Sequence, residues 1–333
     1  MIPLSRLHRH ISVPIWYLLI FFCFIGAIFL IQKVLNHERR RTLSTGFYLL
    51  AILITLRFLL SVVQRVQSDC LLLFLLSLFI YALFFRRQAL AAAALAAATM
   101  IKLTPLIFLP FLLFKKRFKA FALYLGFLGA FLLLPAVYLG PQQNFTYLKN
   151  WLIVLRQTPF DYLYWYKNQS LLASLIRFLT GNSRASFLNL EANAVFILCA
   201  ALSLTLFGLI FIFREKNNAI SQSGFSYLKE VSLIVILMII FSPLAWKHTF
   251  VHLIIAHLVL LYYAIYINPQ DKPTRIFLTG SFILNTVLNP ELTKPFAQAI
   301  QEYSSVTLGA LLLYAALLRI QIKYANSNHY SHL

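Results

Sequence analysis

The chain has 333 residues, of which 61% are hydrophobic, 16% aromatic and only 11% charged. Soluble domains carry about 25% charged residues, so this composition excludes a soluble single-domain enzyme. The 29 Lys and Arg against 9 Asp and Glu give a net charge of +20, which in a soluble protein would suggest nucleic acid. Here the basic residues lie mostly in short loops between apolar runs, as in membrane proteins. We therefore expect a lipid bilayer and no nucleic acid as partner.

Apolar blocks recur along the whole chain. A helix needs about 20 predominantly apolar residues to span roughly 30 Å of hydrocarbon. Breaking the runs at charge clusters predicts eleven spans, at residues 13–32, 46–64, 71–85, 89–101, 103–114, 119–139, 192–213, 231–245, 249–267, 277–289 and 304–320. The sequence thus predicts an all-α polytopic membrane protein that forms one integral domain over residues 1–333.

Two of these spans are short, and they are predicted to form a hairpin. Arg86 and Arg87 precede them and the basic cluster 115–119 follows them. Basic loops favour the cytoplasmic side, so both ends should lie there and the number of crossings should be even. Lys102 then lies at the outer tip, where Pro105 limits the helix. This orientation places more of the Lys and Arg inside than outside, in a multi-pass protein of the cell membrane.

The longest segment outside the predicted spans, residues 140–191, is expected on the extracytoplasmic side. It carries aromatic and amide residues, and its stretch 171–179 predicts a short interfacial helix. Aromatic faces and amides suit a sugar, whereas the alternative is an aromatic belt in the head groups. The candidate sugar or acceptor contacts, including one residue outside this segment, are Trp165, Tyr166, Asn168, Gln169 and Trp246.

Ionisable residues at membrane depth are candidates for function, because a charge at a helix centre costs about 2.5–3.5 kcal/mol on insertion scales. Arg65, Gln67 and Asp69 lie between two spans, where the alternative is a local ion pair of Arg65 with Asp69. Lys102 offers a point charge suited to phosphate. Its alternative is a lysine that snorkels to the surface. Arg57 is a further charge within a predicted span, and the sequence gives it no role.

A fourth polar stretch, residues 242–248, contains Trp246, Lys247 and His248. His248 and His252 are four apart and would share one face of an α-helix, either as a metal pair without a visible third ligand or as groups that handle protons or contact phosphate. The sequence contains no Gly-rich phosphate loop, no nucleophile elbow and no Cys-x-x-Cys pair. We therefore expect no soluble-nucleotide chemistry and no cofactor, and the lack of an Asp-x-Asp motif agrees with a reaction that needs no metal.

In this order, the polar elements resemble those of glycosyltransferase family 87, integral-membrane GT-C enzymes that use polyprenyl-phosphate mannose or a similar lipid-linked sugar. The resemblance rests on residues 65–69, with Asp69 where Asn is usual, and on residues 89–119, with Lys102 and Pro105. It continues through residues 168–170, followed by Arg177, and residues 242–248, with Lys247 in place of an acid. Each element is short, and their order makes the combination more specific.

The resemblance implies a GT-C helix bundle that moves a hexose, with mannose expected, from a polyprenyl-phosphate donor to a lipid or glycan acceptor at the extracytoplasmic face. The donor's lipid tail would lie in a groove among the helices. An inverting displacement needs a carboxylate base: Asp69, which lies within a family-like element, and Asp161 are the candidates, and an absent base stays equally open. His248 is a candidate catalytic or phosphate-contacting group. Donor-phosphate contacts would be Lys102, Arg65, Gln67 and Lys247.

Family members generally begin with further spans and a first outer loop that carries the catalytic Asp. The resemblance therefore also implies that this chain is N-terminally short. Two rival interpretations stay open, an inactive relic of the transferase and a transporter or flippase for a lipid-linked sugar. A transporter would place polar residues near the membrane midplane, whereas most of the polar residues here cluster at one side, with Arg57 and Asn285 as exceptions.

Overall fold

A computed structural model describes residues 7–37, 43–214, 223–288 and 296–330, with side chains described at all of these except 158–160 and 327–330. Within these residues the backbone is helical apart from turns, and its one β-bridge joins Thr180 to Asn189. The expected all-α class of a polytopic membrane protein is confirmed.

Fourteen α-helices follow one another along the described chain. They are α1 Arg9–Leu35, α2 Thr45–Gln64, α3 Asp69–Phe84, α4 Gln88–Ile101, α5 Phe108–Phe114, α6 Phe118–Leu139, α7 Pro141–Asp161, α8 Leu171–Leu179, α9 Ala192–Ile212, α10 Gly224–Ile240, α11 Ile254–Tyr262, α12 Lys272–Phe282, α13 Ala297–Glu302 and α14 Ser305–Tyr330. Two 3-10 segments, Thr104–Ile107 and Lys247–Leu253, precede α5 and α11. Two π-helical turns, Tyr263–Ile267 and Ile283–Val287, extend α11 and α12.

Each predicted span overlaps a helix, although residue 289, where one was predicted to end, lies outside the described residues. Six described helical stretches are long and apolar enough to cross a bilayer. They are Arg9–Leu35, Thr45–Gln64, Phe118–Leu139, Ala192–Ile212, Lys247–Ile267 and Ser305–Asn326. The others are shorter, so the number of eleven crossings stays a prediction.

The bundle is built around α10 and α11, whose side chains are almost all buried. Helices α1, α2 and α14 pack against this centre. By contrast, α6 and α9 lie at the periphery, where large apolar side chains such as Leu133 and Leu204 are mostly exposed. Exposed apolar surface of this extent fits lipid rather than water.

Helix α10 begins seven residues before the predicted span at 231. Its side chains at Lys229 and Glu230 are buried; Glu230 pairs with Lys115, and Lys229 Nζ lies over the ring of Tyr324. The N-terminal end of α10 packs closely on α1, because a Cβ at Gly224 would lie 1.9 Å from the carbonyl oxygen of Val34. The helix ends at Ile240, shortly before Pro243, which has no N–H to donate.

The structure agrees with the expected hairpin at Lys102. Helix α4 ends at Ile101, and Lys102 is extended, with φ −145° and ψ 143°. Lys102 shares a cavity with Phe241 at the C-terminal end of α10, whereas Lys115 pairs with Glu230 near the start of α10. The chain therefore reverses at Lys102 and returns along α10.

Residues 140–191, expected to be an extracytoplasmic loop with short interfacial helices, contain one long helix and one short one. Helix α7 is 21 residues long and follows α6 after Gly140 alone. Helix α8, expected at the interface, instead buries Leu171, Ala173 and Ile176 and packs on α9. The charge of Arg177 suggested an exposed helix, but hydrogen bonds allow that charge to be buried.

Candidate active site

A cavity of about 970 Å³ opens at the end of the bundle where α2, α4 and α10 finish and the 3-10 segment Lys247–Leu253 begins. Its walls come from elements far apart in sequence, from residue 57 to residue 301. Seven of the residues proposed from sequence line it: Arg65, Gln67, Lys102, Trp165, Trp246, Lys247 and His248.

The cavity wall is strongly cationic. Among the described residues that line it are Arg57, Arg65, Lys102, Lys167 and Lys247, and none is Asp or Glu. A cleft of one charge sign focuses the electrostatic potential and concentrates ligands of the opposite sign. The arrangement is therefore suited to an anionic group such as a phosphate.

Asp69 lies directly behind this wall and is fully buried. The turn before it is tight, since Val66 has a φ of 53° and the N–H of Gln67 donates to the carbonyl of Val62. Lys102 Nζ donates to Asp69 Oδ1 at 2.7 Å, while the Lys102 side chain keeps 27% exposure. The alternative pair of Arg65 with Asp69 is not formed, because the hairpin brings Lys102 to this carboxylate instead.

His248 reaches the same carboxylate from another element. Its Nε2 lies 3.8 Å from Asp69 Oδ2, which is longer than a hydrogen bond, and its side chain is 12% exposed. Both Lys102 and His248 line the cavity, and Asp69 does not. One buried carboxylate thus stands behind two groups that face the cavity, and it can orient both of them.

His252 does not form the proposed metal pair with His248. Residues 247–253 form a 3-10 helix of three residues per turn, in which positions four apart do not share a face. His252 is fully buried, and its Nδ1 lies 2.7 Å from the carbonyl oxygen of Thr249. Within the described part of the chain, no group of three or more His, Cys, Asp or Glu residues could hold a metal ion.

Aromatic rings form another part of the wall. Trp165 and Trp246 meet edge to face at 5.0 Å, and Tyr162 lies 5.5 Å from Trp246. Lys167 Nζ lies 4.9 Å above the ring of Trp165, which is within cation–π range. Tyr166 packs against Trp165 behind this surface and does not line the cavity. The two tryptophans can offer apolar faces beside the cationic groups.

Asn168 and Gln169 also lie behind the wall, and both are buried. Asn168 donates from Nδ2 to the carbonyl of Pro243 at 2.9 Å, and its Oδ1 accepts from the N–H of Ala245 at 3.1 Å. Gln169 donates from Nε2 to the carbonyls of Tyr166 and Gln301. The amide donor of Asn168 therefore holds the backbone before Trp246, and that of Gln169 joins Tyr166 to Gln301, so neither is presented to a sugar.

Arg177 completes this support. Its Nη1 donates to the carbonyls of Asn168 at 2.8 Å and Trp165 at 3.2 Å, and its Nη2 donates to Ser304 Oγ at 2.7 Å. Burial lowers the pKa of Arg177 to about 10, an effect that the charge of Glu302 opposes. Arg177 thus joins the loop of Trp165 to the turn before α14.

Asp161, the alternative base, ends α7 with an exposed side chain and does not line the cavity. The nearest acid to the cavity wall that the hydrogen bonds identify is Asp69.

Several residues of the wall were not assigned from the sequence: Arg57, Trp151, Lys167 and Gln301. Arg57 carried a signal, since a charge within a span calls for an explanation. Its Nη1 donates to the carbonyl of Asn285 in the π-helical turn. The close approach of Gly309, where a Cβ would lie 2.3 Å from Asn285 Oδ1, keeps this turn against α14. Of the two residues that the sequence left unexplained, Arg57 lines the cavity and Asn285 accepts its hydrogen bond.

The family model of glycosyltransferase family 87 matches residues 1–243, more than half of the chain. The match includes Asp69, Lys102 and the loop of Trp165, and it ends just before Trp246 and His248. No curated protein and no solved structure matches the chain.

Proposed function

Since the chain belongs to glycosyltransferase family 87 and is thereby a membrane glycosyltransferase, we propose that it transfers a hexose, with mannose expected, from a polyprenyl-phosphate donor to a lipid or glycan acceptor. The proposed site faces the extracytoplasmic side of the cell membrane, as the distribution of basic loops favours. The observation that carries this proposal is a cavity lined by cations, with Lys102 bonded to one buried carboxylate and His248 3.8 Å from the same group.

Lys102 and Arg65 hold the donor phosphate in this proposal, with Gln67 and Lys247 beside them. As transfer proceeds, negative charge develops on the phosphate oxygen that leaves the sugar. Fixed cations near that oxygen stabilise the transition state more than the ground state. The salt bridge to Asp69 keeps Lys102 in place before the donor arrives.

His248 is the proposed general base, supported by Asp69. The acceptor hydroxyl oxygen attacks the anomeric carbon, and its proton passes to the imidazole. The bond from this carbon to the phosphate oxygen breaks, and its electron pair leaves with the polyprenyl phosphate. Asp69 Oδ2, 3.8 Å from Nε2, stabilises the imidazolium that results. Asp161 has no part in this scheme, because it is exposed outside the cavity.

Trp165 and Trp246 provide the surface for the sugar or the acceptor, and Asn168 and Gln169 keep that surface in position. A hexose presents an apolar face that suits an indole ring, while its hydroxyls can reach the polar groups nearby. Tyr166 supports Trp165 from behind.

The direct test uses the purified protein in lipid vesicles with radiolabelled polyprenyl-phosphate mannose, and with GDP-mannose in a parallel reaction. We expect label to pass to an extracted glycolipid or glycan only from the lipid-linked donor. Transfer from GDP-mannose would contradict the donor assignment. Movement of the intact donor across the bilayer without any transfer would favour a flippase instead.

His248→Gln tests the base assignment. We expect it to lower kcat by about 100-fold or more, within the range of positioned acid–base groups, while the KM for the donor changes little. Lys119→Met, which changes an exposed residue outside the cavity, is the control. An active His248→Gln variant would remove His248 from the base role.

A further inference from the structure

The cavity wall carries more positive charge than a lipid-linked sugar donor carries negative charge. Five cationic side chains line it among the described residues, and none of the described lining residues is Asp or Glu. The carboxylate behind the wall, Asp69, accepts from Lys102 and cancels at most one of these charges. A polyprenyl-phosphate sugar is a phosphodiester with a single negative charge. The site is therefore suited to an anion that has more charge than the donor.

These charges extend along the cavity instead of gathering around one point. Arg57, Ser61 and Arg65 follow one another at intervals of four residues on α2 and at its C-terminal end, and all three line the cavity. Positions four apart share one face of a helix. At 1.5 Å per residue, the backbone of Arg57 lies about 12 Å further into the bundle than that of Arg65.

Arg57 is held at this depth by the π-helical turn that extends α12. Its Nη1 donates to the carbonyl of Asn285, and Thr286 in the same turn donates from Oγ1 to the carbonyl of Ile54 at 3.0 Å. Because Ile54 lies three residues before Arg57 on α2, this turn is level with Arg57 and not with Arg65. The guanidinium of Arg57 therefore stays inside the bundle.

Thr249 adds a hydroxyl close to this inner cation. It is 3% exposed, it lines the cavity, and its Oγ1 has no hydrogen-bond partner within the described part of the chain. The next residue, Phe250, packs on Phe58 with ring centroids 5.7 Å apart, which places this part of the 3-10 segment near the level of Arg57. A buried hydroxyl without a partner costs free energy, so an acceptor atom of a ligand is favourable there. We call Arg57, Ser61 and Thr249 the inner subsite.

Much of the remaining wall is apolar. Met238 and Phe241 at the end of α10 line the cavity, and so do Trp151 and Leu155, which are one turn apart on one face of α7. Apolar walls lower the local dielectric constant, so a cation and an anion attract each other more strongly than in water. One unit of charge on a ligand should therefore change its affinity measurably.

Transfer of the sugar changes the charge of the lipid phosphate. In the proposed reaction the bond from the anomeric carbon to the phosphate oxygen breaks, and the electron pair stays with this oxygen. The phosphodiester becomes a phosphomonoester with three terminal oxygens in place of two. The second ionisation of a phosphomonoester has a pKa of about 6, so it is mostly a dianion at neutral pH. The product thus has more negative charge and one more acceptor oxygen than the donor.

We propose that the inner subsite binds the additional charge of the released polyprenyl phosphate, so that the cavity holds this product more tightly than the donor. A phosphate level with Ser61 lies about 6 Å along α2 from each arginine backbone. Arg65 contacts it from the outer side, and Arg57 attracts the added charge from the inner side. Ser61 and Thr249 donate to the oxygen that was bonded to the sugar. This inference rests on the proposed function in taking a polyprenyl-phosphate sugar as the donor.

The test compares two ligands that have the same tail, with the purified full-length protein in nanodiscs of phosphatidylcholine. Citronellyl phosphate is the phosphomonoester, and its methyl diester keeps the single charge of the donor. At pH 8, isothermal titration calorimetry should show that the monoester binds at least about tenfold more tightly, which equals about 1.4 kcal/mol. At pH 5 the monoester is mostly a monoanion, and the two affinities should become nearly equal. Empty nanodiscs correct for partition into lipid.

The ratio of the two affinities isolates the charge of the ligand, because the protein's own groups act on both esters. The diester does not titrate between pH 5 and pH 8, so its affinity at each pH reports those protein groups alone. Equal affinities at pH 8 would overturn the inference, and so would a preference for the monoester that persists at pH 5. The groups that face the ligand are Arg57, Arg65, Lys102, Lys167, Lys247 and His248, with Asp69 behind them.

Arg57→Gln and Thr249→Val locate the preference within the cavity. Each should lower the affinity ratio at pH 8 severalfold, because each weakens the monoester more than the diester. Binding of the diester shows that a variant is folded, and Lys119→Met, outside the cavity, should keep the full ratio. An unchanged ratio in both variants would overturn the assignment to the inner subsite. Binding needs no sugar transfer, so equal affinities of the two esters would end this inference and leave the proposed reaction in place.

Discussion

Two groups of polar residues lie at or directly behind the cavity wall, and they differ in what they leave for a substrate. The side chains of Asn168 and Arg177 donate to backbone carbonyls and thereby hold the segments that carry Trp165 and Trp246. We call these two residues the clamp. Lys102 and His248 share one carboxylate and keep exposed surface in the cavity. A polar residue at membrane depth therefore indicates function only when its surroundings leave part of it accessible.

The largest effect should follow the loss of Lys102. Lys102→Met should lower kcat/KM by about 100- to 1,000-fold, the usual loss for one group that stabilises a developing oxyanion. The assay is transfer from labelled polyprenyl-phosphate mannose in vesicles. Because this change also leaves Asp69 buried without its cation, the variant should unfold more easily.

The double variant Asp69→Asn with Lys102→Met separates these two effects. It removes the unpaired carboxylate, so we expect stability to recover while transfer stays low. Recovery of transfer together with stability would show that Lys102 only supports the fold.

Arg177→Gln should instead act on the clamp. Its loss leaves the carbonyls of Trp165 and Asn168 without their charged donor, which should cost roughly 3 kcal/mol of unfolding free energy. Thermal unfolding in detergent measures this cost. Arg184→Gln, an exposed neighbour, should change little. Equal stability of the two variants would contradict the clamp.

Gly309→Ala tests whether Arg57 contributes to donor binding in the cavity or only to the stability of the fold. The new Cβ would lie 2.3 Å from Asn285 Oδ1, so the π-helical turn that holds Arg57 must move, at about 1–3 kcal/mol. We expect a higher KM for the donor. Gly208→Ala on α9 is the control, since nothing lies within 4 Å of its added Cβ. An unchanged KM in a destabilised Gly309→Ala variant would make Arg57 part of the scaffold.

The smallest effect concerns Asp271, remote from the cavity. Burial alone would raise the pKa of Asp271, but hydrogen bonds from Arg319 and Thr274 outweigh it and hold the pKa below its ordinary 3.8. The contribution of Asp271 to stability is therefore present above about pH 3.8 and is lost as the pH falls through the lower folded value.

Asp271→Asn should accordingly cost less than about 1 kcal/mol near neutral pH. The gap in unfolding temperature between it and the unchanged protein should narrow as the pH falls below 3.8. A gap that widens on acidification would contradict the lowered pKa.

Much of the helix framework could be predicted because the hydropathy of a short segment is enough to locate an apolar helix. The predicted starts at 89 and 192 fall within one residue of α4 and α9. The start at 231 missed seven residues of α10, because local hydropathy cannot show that Lys115, more than a hundred residues earlier, would neutralise Glu230.

The site was partly predictable for a similar reason. Lys102 and His248 stood out as charges and imidazoles that hydrocarbon disfavours. Asn168 and Gln169 looked equally suited to a sugar, and only their hydrogen bonds to Pro243 and Gln301 identified them as support. The partner of Asp69 was also beyond sequence reasoning, since Arg65 is nearer in the chain and Lys102 is nearer in space.

The sequence by itself determined that the chain is an all-α membrane protein, that its polar residues gather in a few loops, and that these loops follow the order of one family of transferases. Composition and hydropathy suffice for this, because each segment in the bilayer must be apolar and must satisfy its backbone hydrogen bonds within itself. Only the tertiary structure decided which polar groups share a cavity, which carboxylate pairs with Lys102 and lies beside His248, and which face of α7 lines the cavity. Those are pairings between distant segments, and their free energy depends on distance and burial, which the order of residues does not contain.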